Sequence, residues 1–246
     1  MKVKLTVESD SMLFWYPKIE DLPIPQPKTE LIIFNDKELK VLLNENVPKS
    51  VVDKVRPVCD KMGYPCFLRT DLASGKHSWK DSCFVESPKD LWKHIFEVVS
   101  FNLCGDIMGL DFKALVVREF IPMASRFTAF SGDMPVNPER RYFVKNGLIL
   151  CHHPYWIEEA IEESKPPSIK NWREVAKELN TETDEEIKLL TSYTKLVAQQ
   201  FKGYWSVDFC KAKDGRWILI DMASGSRSWH PEECKVARTN QKRRGG

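Results

Sequence analysis

The sequence lacks the glycine-rich patterns that most often mark nucleotide sites, because it contains neither Gly-x-Gly-x-x-Gly nor a Walker loop. A Rossmann or P-loop protein is therefore excluded at the level of the sequence. No uncharged apolar run approaches the roughly 18 residues of a membrane span. Residues 1–10 also lack the apolar stretch of a secretory signal. We therefore expect a soluble, cytoplasmic protein.

Paired cysteines are lacking as well, since none of the 7 cysteines belongs to a Cys-x-x-Cys motif. Their odd number and scattered positions argue against a disulfide framework and against a zinc ribbon. We expect most of them to be small buried hydrophobic residues. His152 and His153 follow Cys151 without the spacing of zinc ligands, which favours a substrate contact or plain surface.

The composition describes an ordinary globular protein with a real core, at 42% hydrophobic and 29% charged residues. The net charge is +2, but residues 235–246 hold five basic residues and no acidic one. The rest of the chain is therefore slightly acidic. This basic tail could bind RNA, DNA or an acidic protein, or it could be a solvated chain end.

Hydrophobic periodicity predicts short strands and helices in an α+β arrangement. The Asn146-Gly147 pair between two alternating runs predicts a β-hairpin. A second hairpin is predicted around residues 213–215, close to the end of the chain. Ser87 and Pro88 predict a helix start, with a cap followed by proline at the first helical position.

Two aspartates stand out in this second hairpin, because each lies in a run of bulky apolar residues. Asp208 is surrounded by Trp205, Val207 and Phe209, and Asp221 ends the run 217–220. Buried carboxylates are costly unless a cation accompanies them, and phosphate-bound magnesium would meet that need. The alternative is that one or both acids point to solvent at strand ends.

Four cations occur in apolar strands or in their loops: Arg69, Lys76, Arg118 and Arg141. Positive side chains in such places need anions nearby, and a triphosphate supplies several at once. Gly75 would let the backbone approach the phosphate oxygens. Each cation taken singly is more often a surface or salt-bridge residue, so the prediction depends on the whole set.

Taken in order, these residues resemble the ATP-grasp fold. Within it they look like the branch typified by the eukaryotic cell division cycle protein 123 family and its phage and bacterial relatives, a clade marked by two arginines and a lysine. The resemblance covers about residues 60–230. The segments that carry it are Arg69 with Ser74, Gly75 and Lys76, then residues 116–121, residues 139–145, residues 207–209 and residues 219–221.

The resemblance implies two lobes that grip ATP between them, each built on an antiparallel sheet with helices. The expected division is a first lobe at residues 1–113, a second at 114–234 and a flexible basic tail at 235–246. The adenine would lie against the linker of Glu119, Phe120 and Ile121. The phosphates would face Arg69, Lys76, Arg118 and Arg141, and magnesium would be held by Asp208 and Asp221.

One departure from the family pattern concerns the metal. Relatives place an asparagine two residues after the second acid, whereas this chain has Ala223 followed by Ser224. We expect Ser224 or water to complete the metal site, or the metal to be held more weakly. His77, His152 and Arg227 are possible substrate contacts.

Three functions follow from the resemblance and the tail. The first is an ATP- and magnesium-dependent ligase that joins a carboxylate to an amine through an acyl phosphate. The second is an ATP-binding assembly chaperone of the translation initiation factor 2 type, whose partner is a protein client. The third is ATP-dependent joining or modification of RNA or DNA ends, suggested by the basic tail together with Trp229 and His230.

Overall fold

Two four-stranded antiparallel sheets form the framework of the protein. The computed structural model describes residues 9–44, 47–104, 112–162, 167–231 and 234–236. The strands are β1 (Thr29–Ile33), β2 (Cys66–Thr70), β3 (Phe84–Val85), β4 (Ala114–Glu119), β5 (Phe127–Ala129), β6 (Met134–Val136), β7 (Glu139–Lys145), β8 (Leu148–Pro154), β9 (Tyr204–Lys211) and β10 (Trp217–Ser224). The helices are α1 (Met12–Trp15), α2 (Asp36–Leu43), α3 (Lys49–Met62), α4 (Leu91–Cys104), α5 (Glu158–Glu162), α6 (Trp172–Asn180) and α7 (Asp184–Ala198). The predicted α+β class with antiparallel sheets is confirmed.

The first sheet has the strand order β1-β4-β2-β3 and is covered on one face by α2, α3 and α4. Side chains alternate between the two faces of a strand, so the core residues are spaced two apart. Leu115 and Val117 of β4 therefore pack against the helices. Val116 and Arg118 lie on the opposite face, which is turned towards the second sheet.

The second sheet has the order β10-β9-β7-β8 and packs one face against α1 and α7. The predicted hairpin at Asn146-Gly147 joins β7 and β8, and both turn residues have positive φ angles of 50° and 85°. The predicted helix start at Ser87 is instead a 3-10 turn, Pro88–Asp90, that leads into α4. In the described part of the chain, no helix has the length and apolar character needed to span a lipid bilayer.

The two neighbouring arginines of β7 lie on opposite faces of the second sheet. Arg140 is 1% exposed on the helix side, where it donates to the carbonyls of Leu179 and Thr181 at 3.0 and 2.9 Å. It also lies near the carboxylates of Glu182 and Glu186, at 3.5 and 3.6 Å. Arg140 thus ties β7 to the start of α7, whereas Arg141 is left for the other face.

A β-bulge in β10 changes which side chains reach that other face. Leu219 pairs with Phe209, yet Asp221 rather than Ile220 pairs with Asp208. In a regular strand, Leu219 and Asp221 would share a face. Because of the bulge, Leu219 lies in the core beneath the helices while Asp221 faces the first sheet.

The short hairpin β5–β6 forms a third unit with α5 and α6. Its loop lies against the segment that follows Lys76. The Gly132 N–H donates to the His77 carbonyl at 2.9 Å, and the Lys80 N–H donates to the Gly132 carbonyl at 3.3 Å. A Cβ atom added at Gly132 would lie 2.2 Å from the Trp79 nitrogen, so this close approach requires glycine.

The division of the chain into two lobes stays a prediction, but the topology bears on its boundary. β4 begins at Ala114, where the second lobe was expected to begin, and yet it pairs with β1 and β2 of the first sheet. We therefore place the change from the first sheet to the second after Glu119.

Candidate functional site

A cavity of about 270 Å³ lies between the facing sides of the two sheets. Its lining includes each predicted cation, both predicted aspartates and the predicted linker. These residues are Arg69, Lys76, Arg118, Glu119, Phe120, Ile121, Arg141, Asp208 and Asp221. The fold therefore brings distant parts of the sequence together. Arg69 and Asp221, for example, are 152 positions apart in sequence and lie 3.0 Å apart in the structure.

The floor of the cavity is a row of charged side chains that crosses three strands of the second sheet. Arg141 on β7 is paired in register with Asp208 on β9, which is paired with Asp221 on β10. The Arg141 guanidinium donates two hydrogen bonds to the Asp208 carboxylate, at 2.8 and 2.7 Å. Such a two-pronged bond fixes the orientation of both side chains.

The first sheet supplies the opposite wall of this charged region. Arg69 is 4% exposed and lies 3.0 Å from the Asp221 carboxylate. Arg118 is equally buried, and its guanidinium donates to the Ile220 carbonyl at 2.6 Å and to the Thr29 hydroxyl at 3.2 Å. Burial, together with the positive charge of Arg69, lowers the pKa of Arg118 to about 10.

Arg118 therefore differs from the other three cations of the cavity. Arg69, Lys76 and Arg141 each lie against a carboxylate. Among the described residues, no carboxylate approaches Arg118 to ion-pair distance, and its contacts are a carbonyl and a hydroxyl. A buried guanidinium with neutral partners favours an anionic ligand.

Lys76 enters the cavity from a tight loop. Gly75 has a φ angle of 60° and starts the 3-10 turn Lys76–Ser78. The ammonium group lies 3.4 Å from the Glu139 carboxylate and over the rings of Tyr155 and Trp156, at 4.3 and 4.8 Å. Burial alone would lower the pKa of Lys76, but Glu139 and neighbouring groups raise it above its ordinary value. Lys76 is therefore a cation at neutral pH.

Aromatic rings line the part of the cavity next to the linker 119–121. Phe67, Trp79 and Phe120 all contribute to the lining. The Trp79 ring lies 5.7 Å from Phe67 and 6.3 Å from Phe120, centroid to centroid. This wall offers the flat apolar contacts that a nucleobase requires, while the charged row lies at the other part of the same cavity.

Several lining residues were not predicted as site residues, among them Glu139, Tyr155 and Trp156 beside Lys76. A signal for Glu139 existed, because it lies two residues before Arg141 and strand alternation places both on one face. Tyr155 and Trp156 carried no comparable signal. They follow β8 and reach Lys76 only through the tertiary fold.

Four predicted site residues do not line the cavity. His77 stacks on Phe130 at 4.2 Å in an adjoining groove. His152 lies on the helix face of the second sheet, where it stacks on Tyr142 and approaches the Glu182 carboxylate at 3.1 Å. We therefore leave His152 out of the proposed site.

The other two are Ser224 and Arg227, which bind Asp10 instead. The Ser224 N–H and the Arg227 guanidinium both donate to its carboxylate, the latter at 2.7 Å. The Ser224 hydroxyl contacts Ser226 at 2.8 Å. Alternation places Ser224 on the face opposite Asp221, so it is not positioned to complete a metal site with Asp221. Most of the basic tail, residues 237–246, lies outside the described residues.

The charged row fits a nucleotide with a divalent cation. Asp208 and Asp221 are directly opposed on neighbouring strands, and carboxylate oxygen is the ligand type that Mg²⁺ prefers. Four cations surround these acids within one cavity, which suits a polyphosphate. The donor set thus fits a polyphosphate with a divalent cation in both charge and atom type.

Comparison with known proteins identifies the fold and the family. The model of the family described as "ATP-grasp domain, R2K clade family 3" matches residues 43–242. The structure of Cdc123 from Schizosaccharomyces pombe is 16% identical, with a TM-score of 0.57, over 93% of this chain and 87% of that one. A C-terminally truncated form gives 15% identity and a TM-score of 0.58, over 93% and 86% of the two chains. A search of curated proteins found no match.

These likenesses to solved structures establish the fold, and the family model covers most of the chain. The resemblance to the ATP-grasp fold and to its Cdc123-like clade, which was expected from the sequence, is confirmed. This chain belongs to the ATP-grasp domains of R2K clade family 3.

Proposed function

We propose that the protein binds ATP with a divalent cation in this cavity and uses it to join a carboxylate to an amine. The observation that carries the proposal is the charged row Arg141–Asp208–Asp221, with Arg69, Arg118 and Lys76 around it. The overall reaction would convert ATP to ADP and phosphate as the amide bond forms. Family membership supports the use of ATP.

The charged side chains of the cavity are paired with one another in a way that a bound polyphosphate could replace. Arg141 is paired with Asp208, and Arg69 is paired with Asp221. A polyphosphate would offer these guanidinium groups new oxygen partners, which would leave both carboxylates available to a divalent cation. Arg118 adds one positive charge, and within the described part of the chain no carboxylate lies at ion-pair distance from it. Nucleotide and divalent cation should therefore bind cooperatively.

Bound ATP with Mg²⁺ would supply the phosphoryl group and the electrophilic phosphorus. The residues of this chain would hold and neutralise it. The three arginines and Lys76 can hydrogen bond to phosphate oxygens, and preorganised positive charge of this kind is the main contribution of a protein to phosphoryl transfer. The aromatic wall of Phe67, Trp79 and Phe120 lines one end of the cavity and would limit the access of water to bound nucleotide there.

An adjoining groove offers a place for the acceptor. It is lined by His77, Phe130, Tyr155, Trp156 and Trp229, and it shares Arg141 with the main cavity. Burial and the neighbouring Lys76 lower the pKa of His77, so its imidazole is neutral at neutral pH. We propose that an acceptor with a carboxylate and an apolar body binds here, with its carboxylate towards Arg141.

A second candidate function is ATP binding that supports the assembly of a protein client, without ligase turnover. One observation favours it specifically. The Ala223 side chain offers no metal ligand, and the Ser224 hydroxyl contacts Ser226 on the strand face opposite Asp221. Two carboxylates alone would hold the divalent cation less firmly, which suits retention of ATP better than its cleavage.

The substitution Asp221→Asn separates these functions. It removes one charge from the proposed metal site while keeping the shape of the side chain. For a ligase, we expect ADP formation to fall by roughly a hundredfold or more, because one electrostatic contact to the transferring group is lost. Nucleotide affinity should change by less than about tenfold. ADP would be measured with labelled ATP and Mg²⁺, with and without pools of amino acids and peptides.

Asp214→Asn is the matched control, because Asp214 is an exposed aspartate in the turn of the same hairpin. It should leave ADP formation unchanged. Equal turnover in the Asp221 variant and the wild type would remove Asp221 from the metal site. ATP binding without any ADP, in the wild type and with every pool, would instead support the assembly function.

A further inference from the structure

A cluster of three soft ligands lies outside the cavity, on the same face of the second sheet. Cys151 on β8 and Cys234 have their sulfur atoms 3.5 Å apart, and the Cys151 sulfur lies 3.9 Å from Nδ1 of His230. The three ligand atoms all lie within 4.8 Å of one another. The scattered cysteines of the sequence argue against a zinc ribbon, but the fold brings together two of them that are 83 positions apart.

Two of the three separations in the cluster are close to those of a tetrahedral metal centre. With Zn–S bonds of about 2.3 Å and Zn–N bonds of about 2.0–2.1 Å, two ligand sulfurs lie about 3.8 Å apart, and sulfur and nitrogen about 3.6 Å apart. The two sulfurs are 3.5 Å apart, slightly closer than the ideal, and the Cys151 sulfur and Nδ1 of His230 are 3.9 Å apart, slightly farther than the ideal. We propose that Cys151, His230 and Cys234 bind one zinc-type cation, with the fourth position left to water.

The surroundings of His230 hold its ring in the orientation that a ligand needs. Its Nε2 lies 2.6 Å from the Tyr204 hydroxyl, so Nδ1 is the nitrogen that faces the cysteines. The ring also stacks on Phe143, with centroids 3.6 Å apart. Metal-binding histidines usually have such a partner on the second nitrogen, which fixes the tautomer. Tyr204 is therefore a positioning residue.

The type of ligand indicates the type of metal. Two thiolates and an imidazole favour zinc over Mg²⁺ or Ca²⁺, which prefer oxygen. The carboxylate pair of the cavity, by contrast, offers the oxygen ligands that Mg²⁺ prefers. The two sites would therefore take different cations in one protein.

The cluster lies next to the charged row on the same face of the second sheet. Cys151 is paired with Phe143, and Phe143 is the second residue after Arg141 on β7. A bound cation would link β8 to the segment that follows β10. That segment includes Trp229, which lines the adjoining groove proposed for the acceptor. Its ring packs edge-on against His153. The metal would thereby fix one wall of the groove.

The direct test measures metal content in the full chain after any affinity tag is removed. Protein purified in the presence of zinc should contain about one zinc per chain, as measured by inductively coupled plasma mass spectrometry. Cys151→Ser and Cys234→Ser should each lose it. Cys104→Ser is the matched control, because Cys104 is an exposed cysteine outside the cluster, and it should keep the metal. Zinc retained equally in every variant would overturn the proposal.

A second measurement uses cobalt chloride as the probe and does not depend on activity. Titration of the metal-free protein should produce a thiolate-to-cobalt charge-transfer band that Cys104→Ser retains and Cys151→Ser loses. Tyr204→Phe should keep the band but weaken zinc binding roughly 10- to 100-fold in competition with a chelator. Absence of the band in the wild type would contradict the site. A Cys151–Cys234 disulfide in the freshly purified protein, seen by mass spectrometry without reductant, would contradict it too.

Discussion

Replacing Arg141 by methionine is expected to weaken ATP binding by roughly 10- to 100-fold, because hydrogen bonds to charged groups contribute about 1.5–3 kcal/mol. Arg141 donates two hydrogen bonds to Asp208 and lines both the cavity and the adjoining groove. The same change leaves Asp208 buried without its partner, which should cost about 3–5 kcal/mol of stability. Isothermal calorimetry with ATP and Mg²⁺, together with urea denaturation, would measure the two effects.

Arg140→Met is the matched control, because Arg140 is the preceding residue on the opposite face of the same strand. It contacts Glu182, Glu186 and two carbonyls near the start of α7. We expect this variant to lose stability but to keep the ATP affinity of the wild type. Equal loss of ATP affinity in both variants would mean that Arg141 acts only through the stability of the sheet.

The double variant Arg141→Met/Asp208→Leu separates binding from folding further. Replacing a whole buried ion pair by apolar residues is often neutral for stability. We therefore expect the double variant to regain much of the stability that the single variant loses. ATP binding should not return, because the cavity then lacks both the guanidinium and a proposed metal ligand. Recovery of ATP binding would contradict the proposed role of the charged row.

Gly132→Ala should have the second large effect, although Gly132 touches no charged residue of the cavity. The added Cβ would lie 2.2 Å from the Trp79 nitrogen and 2.3 Å from the Ser78 carbonyl carbon. A side chain could rotate away from the added methyl group, but backbone atoms cannot. The loop that carries Lys76 must therefore shift. Overpacking of this kind costs about 1–3 kcal/mol of stability. We expect ATP affinity to fall at least tenfold, about 1.4 kcal/mol.

Ser131→Ala is the control for Gly132, because Ser131 is its exposed neighbour in the same loop. Its hydroxyl donates a long hydrogen bond to the His77 carbonyl at 3.5 Å. That variant should match the wild type in both thermal melting and ATP calorimetry. Wild-type ATP affinity in Gly132→Ala, alongside a lowered melting temperature, would show that the β5–β6 loop does not position Lys76.

Much of the fold and of the cavity could be predicted from local patterns in the sequence. Arg69, Arg118 and Arg141 interrupt apolar strands, and burial of a cation in a strand demands an anion nearby. Asp208 carries the same signal with the opposite sign. The Asn146-Gly147 turn fixed one strand pair without reference to the rest of the chain.

What could not be predicted depends on contacts between distant residues or on backbone irregularity. Alternation alone would place Asp221 on the same face as Leu219, and only the bulge brings it opposite Asp208. Cys151 and His230 are far apart in sequence and share no motif spacing. The contact of the Ser224 N–H with Asp10 is of the same kind, because Asp10 lies 214 positions away in the chain.

The bond from Arg118 to the Ile220 carbonyl has a consequence for nucleotide exchange. It joins a side chain of the first sheet to the backbone of the second, at the bulge and within the cavity lining. Because the acceptor is a main-chain oxygen, no change of side chain at position 220 removes it. For the proposed function, an opening of the cavity that preserves this bond would be a rotation of one sheet about Arg118, rather than a parallel separation of the two sheets.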